Sequence, residues 1–305
     1  MPSFRSPAAQ AEKAVGRALA LGESRHESRH DGRIHSVGTA RVYESALTGA
    51  ARWLQDQGER SGLQHMTTEQ AQAYLSARAL EVGQKTLDLD RQALRVLPNV
   101  DREALERVHS RAERPPGLAE QSRTYTPAQR ELVHQELSER ARLAAEVVHA
   151  AGLRAHELLT LRPAAEQPAS DHRQWSAERF TGRENHARYT VDGKGGLVRE
   201  VAIPAALAAR LEAQRLDTPR DVTDRGVHYQ AHYAIPAGQT LSSAWSAASN
   251  QALGWSAGLH GLRHSYAQER MGELQGQGQS YPDALATVSQ EMGHFRADIT
   301  EVYLR

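Results

Sequence analysis

One short run divides this chain. Pro115-Pro116-Gly117 withdraws two backbone donors in succession and then supplies the most permissive residue, so neither a helix nor a strand can run through it. Its flanks are polar. Residues 111–123 therefore read as a linker, and the blocks on either side must fold as separate units, each long enough to bury a core.

The first block has helical periodicity. Ser36 can cap a helix that carries Val42, Leu47, Ala50, Trp53 and Leu54 on one stripe and ends at Gly58. Thr67 or Thr68 can cap a second, with Ala71, Tyr74 and Leu75 inward. Leu87, Leu94 and Leu97 mark a third, stopped by Pro98, and DREALERVHSRAER reads as a short polar fourth. The expectation is a small helical bundle over residues 35–110. Residues 1–34, with the repeated Ser-Arg-His of SRHESRHD, read as a flexible extension. His26 and His30 would share a helical face there, but two histidines are too few to hold a metal.

The second block begins the same way and then changes period. Thr126 can cap a helix with Pro127 at its first position. Leu143, Val147 and Val148 follow on another helix, which Gly152 breaks, and Leu153, Leu158 and Leu161 begin the next. ARYTVD and LVREVAIP then alternate with a period of two around Gly193-Lys194-Gly195-Gly196, the pattern of a β-hairpin. Helical text resumes from PAALAARLEAQR onward. GELQGQGQSYP reads as a flexible loop within it, and residues 213–240 carry no clear period. The fold class expected is mainly α: a helical bundle followed, over residues 124–305, by an α-rich domain with a small antiparallel β-sheet.

Charge narrows the functions open to such a fold. The 37 basic and 37 acidic residues cancel, and each half of the chain balances separately. This argues against a partner held by bulk positive charge, whether nucleic acid or membrane surface, so any charged site must be local. The absence of cysteine excludes disulfides, thiol catalysis and cysteine-ligated zinc. No apolar run approaches a membrane span, and the N-terminus lacks the apolar core of a secretory signal, so a cytoplasmic chain is expected. Only Lys13, Lys85 and Lys194 among the basic residues are lysines, which makes a lysine in a hairpin turn conspicuous.

Four separated motifs can be read together: Gly152-Leu153-Arg154-Ala155-His156-Glu157-Leu158, the hairpin Lys194, His260-Gly261-Leu262-Arg263, and Gly293-His294 with Tyr303 nine residues beyond the histidine. In this order they resemble the tyrosine site-specific recombinases, the phage-integrase family. The resemblance covers the second block, and the first fits that family's helical core-binding domain. It implies a catalytic domain over 124–305 with Arg154, Lys194, His260, Arg263, His294 and Tyr303 as catalytic residues, and no cofactor. It also implies double-stranded DNA as partner, a homo-tetramer on DNA, an accessory directionality factor, and a mobile element in a bacterial host. The sequence stops two residues after Tyr303, where many relatives continue into a helix that docks on a neighbour. Coupling between protomers is therefore expected to differ.

Elementary chemistry agrees with these roles. Attack on a phosphodiester adds negative charge to its non-bridging oxygens, and two forked, permanently charged guanidiniums, Arg154 and Arg263, suit that charge. The Tyr303 phenol, with an ordinary pKa of about 10, needs a proton acceptor and a nearby cation. His260 can accept that proton, and His294 can hold a phosphoryl oxygen. Lys194 can protonate the leaving 5′-oxygen, which arginine would do badly because it keeps its proton. Glu157, three residues after Arg154, is placed to orient it. Two alternatives remain: a type IB-like topoisomerase, or a DNA-binding accessory protein with a decayed site, against which the intact set of six residues speaks. Of the others, His264 reads as structural or DNA-facing and Trp245 and Trp255 as core. Arg162, Arg173, Arg179, Arg183 and Arg199 read mostly as solvated surface.

Overall fold

The computed structural model describes residues 5–21, 32–113, 122–193 and 195–305. The chain divides into two compact units, Met1–Pro116 and Gly117–Arg305. Among the described residues, no helix is long and apolar enough to cross a membrane.

The first unit contains α1 (Pro7–Ala18), α2 (Val37–Asp56), α3 (Thr68–Arg78) and α4 (Gln84–Leu94), with a 3-10 turn at Leu63–His65. Local capping explains the starts. The Ser36 hydroxyl accepts from the Thr39 N–H, and Thr67 and Gln70 form a reciprocal capping box. Leu47, Ala50 and Leu54 point into the core at i, i+3 and i+7, whereas Val42 is 42% exposed because its position falls outside that stripe.

Two expectations are corrected here. Residues 7–20 are not a flexible extension. Pro7 sits at the first position of α1, and Ala11 and Val15, one helical turn apart, are fully buried in the unit's core. The strand-like bridge beyond it is closed by Ala20 N–H to the Ile34 carbonyl at 2.9 Å. The Ser-Arg-His repeat with His26 and His30 lies outside the described residues, as does most of the linker at 111–123. DREALERVHSRAER forms no helix in its described part. Its backbone finds partners on neighbouring side chains instead: Arg91 donates twice to the Leu105 carbonyl, the Glu106 N–H donates to Gln72, and the Ser110 N–H to Gln84.

The second unit opens with α5 (Pro127–Gln135), capped by Thr126 and Gln129, and α6 (Glu139–Ala150). Gly152 then turns the chain with φ +56, a conformation that disfavours any side chain. Of the leucines after it, Leu158 and Leu159 fall in a 3-10 turn, Ala155–Leu159, and not in the expected helix. Strands β1 (Arg162–Pro163), β2 (His186–Asp192) and β3 (Val198–Pro204) make an antiparallel sheet in the order β1-β2-β3. Thr190 lies opposite Glu200, so β2 and β3 are the predicted hairpin. After α7 (Ala205–Glu212), the stretch without clear period becomes a second hairpin, β4 (Arg215–Asp224) and β5 (Val227–Tyr233). Its two-residue turn, Arg225-Gly226, has φ +50 and +79, a type I′ geometry that the Arg-Gly pair did not advertise.

Four helices complete the unit: α8 (Gly238–Leu253), α9 (His260–Gly276), α10 (Tyr281–Glu291) and α11 (Ala297–Glu301). Most of GELQGQGQSYP, expected as a loop, belongs to α9 and the start of α10, because Leu274 is fully buried and ties the glycines around it into the helix. Trp245 is wholly buried among α5, α6 and α8 side chains, packed edge-on against Tyr125. Trp255 is 40% exposed and not core as expected; it stacks flat on Tyr125 at 5.2 Å.

Candidate active site

Glu157 anchors the site. It lies in the 3-10 turn after α6, is fully buried, and holds Arg154 twice: its Oε1 accepts from Arg154 Nη1 at 2.7 Å and its Oε2 from the Arg154 N–H at 2.8 Å. Arg199 Nη2 also donates to Oε2, at 2.7 Å. Burial by itself would push this carboxyl upward, but the charges of Arg199, Arg263 and Arg154 outweigh it and hold the group well below the usual carboxylate range. Three guanidiniums thus surround one carboxylate, leaving a local surplus of positive charge in a chain whose sum is zero.

Arg263 sits on α9 with no exposure. Its guanidinium donates to the Gly152 carbonyl, to the Met292 carbonyl at 2.6 Å and to His294 Nε2 at 2.9 Å. Burial first, then the charge of Arg154, lowers its pKa to about 10, so it is still protonated at neutral pH. Its Nε is buried with no acceptor among the described residues, which costs about 1–3 kcal/mol unless an oxygen reaches it.

The tautomer of His294 follows from these contacts. An arginine N–H can only donate, so Nε2 accepts and Nδ1 carries the proton, which it donates to Thr300 Oγ1 at 2.9 Å. Thr300, in α11, is fully buried and its carbonyl accepts the Tyr303 N–H at 2.9 Å. The short α11 is therefore moored to His294, and Tyr303 is moored to α11.

Tyr303 packs against three imidazoles and one guanidinium. Its ring centroid lies 4.6 Å from that of His264, 5.2 Å from His294 and 5.5 Å from His260. The Arg263 guanidinium carbon stands 5.5 Å over the ring. Burial, reinforced by Arg263, pushes His260 down to about 4 and His294 to about 3; burial and Arg123 push His264 down to about 4. All three imidazoles are therefore neutral at pH 7, the state in which an imidazole can accept a proton.

Five of the six sequence candidates, Arg154, His260, Arg263, His294 and Tyr303, thus come together in one place. Lys194 lies outside the described residues. Its neighbours make the hairpin turn: the Gly193 N–H donates to the Leu197 carbonyl at 2.7 Å, and Gly195 and Gly196 have φ +79 and +78.

Sequence reasoning missed three residues. His264 was read as structural or DNA-facing; of the three imidazoles it is the one nearest Tyr303, buried on α9 where the Tyr303 ring packs against it. Thr300 carried no signal. Arg199 was read as surface, yet it alternates with Val201 and Ile203, both buried, so the strand period placed it on the core face. The other arginines of that group also have protein partners. Arg183 donates to Glu273 at 3.0 Å, Arg179 covers the Trp175 ring, Arg173 stands over Phe295, and Arg162 faces Asp192.

A second basic feature stands apart from this chemistry. In the first unit, Arg5, Lys13, Arg17, Arg33, Arg60 and Arg102 line a cavity of about 1020 Å³, and among the described residues no acidic side chain joins them in the lining. Arg5 and Arg17 push the Lys13 ammonium below its ordinary value by repulsion. Arg154, His260, Arg263, His294 and Tyr303 do not line this cavity.

Compared as a sequence, the chain matches no protein-family model and no curated protein. Compared as a structure, it is similar to a lambda integrase dimer bound to a COC′ core site, with a TM-score of 0.56 and 17% identity over 92% of this chain and 93% of that one. It is also similar to the XerH site-specific recombinase bound to difH substrate in a pre-cleavage complex. There the TM-score is 0.55 and the identity 14%, over 100% of this chain and 94% of that one. A lambda integrase tetramer bound to a Holliday junction matches with a TM-score of 0.52 and 17% identity over 92% of this chain and 75% of that one. The chain has the fold of the tyrosine site-specific recombinases, the family that its motifs resemble.

Proposed function

We propose that this protein is a site-specific DNA recombinase that cuts and rejoins strands through a tyrosine ester. The observation that carries this reading is the seating of Tyr303 among three neutral imidazoles and Arg263, with Arg154 held behind it by Glu157. The phenol oxygen attacks the scissile phosphorus and passes its proton to His260. Arg154 and the buried Nε of Arg263 take up the charge that grows on the non-bridging oxygens. The bond to the 5′-oxygen breaks, and Lys194 gives that oxygen a proton. The products are a 3′-phosphotyrosine and a free 5′-hydroxyl. A 5′-hydroxyl from another strand reverses the steps, and because the ester keeps the bond energy, no ATP is consumed.

Exchange between two duplexes requires four such sites, and a homo-tetramer on DNA is the assembly proposed. The tetrameric lambda integrase on a Holliday junction supports it. The basic cavity of the first unit supports a polyanionic partner, and binding should weaken with salt as phosphate contacts release counterions. Integration or excision of a mobile element, aided by a directionality factor, is the biological setting proposed.

The test uses a duplex selected from a random pool by binding to the full chain, then nicked just 3′ of the cleavage point so that the short leaving strand diffuses away. A covalent protein–DNA adduct is expected, lost in Tyr303→Phe with duplex affinity retained. No adduct from the wild-type chain would sink the reading. Relaxation of supercoiled plasmid without a preferred site would favour the topoisomerase alternative.

A further inference from the structure

Arg199 takes no part in the steps above, yet it is fully buried on β3 and joins three parts of the site. Its Nη2 donates to Glu157 Oε2 at 2.7 Å, and Glu157 is the carboxylate that orients Arg154. Its Nη1 donates to the Glu291 carbonyl at 2.6 Å, at the end of α10. Its Cδ packs on Gly293, where an added Cβ would come within 2.8 Å, and Gly293 immediately precedes His294. The same helix end presents the next carbonyl, Met292, to Arg263. The unpaired carbonyls that close α10 thus hold two arginines side by side.

Burying a guanidinium is costly, and Val201 and Ile203 on the same strand face show that an apolar residue suits the position. What an apolar residue cannot do is bond two acceptors at a fixed angle. A rigid fork can, and lysine, a point charge on a flexible stem, can satisfy only part of the arrangement.

We propose that Arg199 is a positioning residue, which fixes the Arg154–Glu157 pair relative to the Arg263–His294 pair so that both guanidiniums meet one phosphate. This rests on the strand-transfer reading. Its signature is electrostatic: an error in the clamp matters in proportion to the charge that the clamp must hold.

The experiment compares full-length wild type, R199K and R199M on the nicked duplex and on the same duplex with a methylphosphonate at the scissile position, which removes one negative oxygen. At saturating duplex, R199M should form adduct about 100-fold more slowly on the phosphodiester, since a displacement of about 1 Å costs that much. Its dissociation constant for the duplex should change by less than about threefold, and R199K should recover part of the rate. On the methylphosphonate the R199M defect should shrink at least about tenfold. Equal defects on both substrates, or a defect that follows lost affinity, would overturn the proposal and leave Arg199 as a packing residue. If R199M does not fold, E157Q/R199M, which removes the buried pair together, is compared with E157Q by the same ratio. No adduct from wild type overturns the strand-transfer reading itself; a wild-type adduct with R199M cleaving equally fast overturns only this one.

Discussion

Replacing Glu157 by glutamine is the sharpest test of how the site is held. The carboxylate is wholly buried and accepts from Arg154 twice and from Arg199 once, at 2.7–2.8 Å. Arg199 and Arg263 are buried beside it. Glutamine keeps the shape but removes the negative charge that Arg154, Arg199 and Arg263 share, and one of its two terminal atoms turns from acceptor to donor. Breaking a buried pair by neutralising one partner costs about 3–5 kcal/mol, because the remaining charge has no partner and no water. For a unit of this size each kcal/mol lowers the melting temperature by about 2–4 °C, so a fall of roughly 6–20 °C is expected. Arg154→Met is the control. Arg154 is 24% exposed, and its loss leaves Glu157 paired with Arg199, so the cost should be near 1 kcal/mol. Thermal unfolding of the full chain by circular dichroism, with the fluorescence of Trp175, Trp245 and Trp255 in the second unit, reads both. A Glu157→Gln chain within 1 kcal/mol of wild type, or no worse than Arg154→Met, would refute the claim that this carboxylate is the electrostatic keystone.

Other outcomes follow from the same geometry. Gly152→Ala places a methyl 2.5 Å from the Tyr266 ring at φ +56 and displaces the carbonyl that holds Arg263. It should cost at least about 1 kcal/mol in urea unfolding and slow adduct formation with it. Lys194→Ala should slow cleavage by about 100-fold or more while duplex affinity stays nearly unchanged; a large loss of affinity would make it a phosphate anchor. The three imidazoles around Tyr303 are lowered to about 4, 4 and 3 in the fold, against an ordinary value near 6.5. The unfolded chain therefore takes up protons first. Their contribution to stability should be complete above pH 6.5 and fall as pH drops through about 4 and 3. The urea midpoint should decline with acid, and less steeply in His264→Asn; an unchanged slope would refute the burial argument.

Much of the fold was legible because its signals are local. Ser36, Thr67 and Thr126 name their helices by a hydroxyl that reaches the backbone three residues on. The period-two text on either side of Gly193 names the β2–β3 hairpin. Where partners come from far away, the same reasoning failed. DREALERVHSRAER has helical composition, but Gln72, Gln84 and Arg91 satisfy its backbone first. The amphipathic face of α1 needed the rest of the bundle before Ala11 and Val15 could count as core.

The sequence by itself determined which chemistry is available: the order and spacing of Arg154, Lys194, His260, Arg263, His294 and Tyr303, each set by short motifs on their own elements. Tertiary structure decided how that chemistry is charged. The neutral sum of 37 against 37 says nothing about place. Folding buries Arg199 and Arg263 around one carboxylate and packs three imidazoles against Tyr303. Glu157, Arg199 and Arg263 are buried, so water screens their charges little. That field depends on which distant elements come to cover a residue, and no local pattern encodes it.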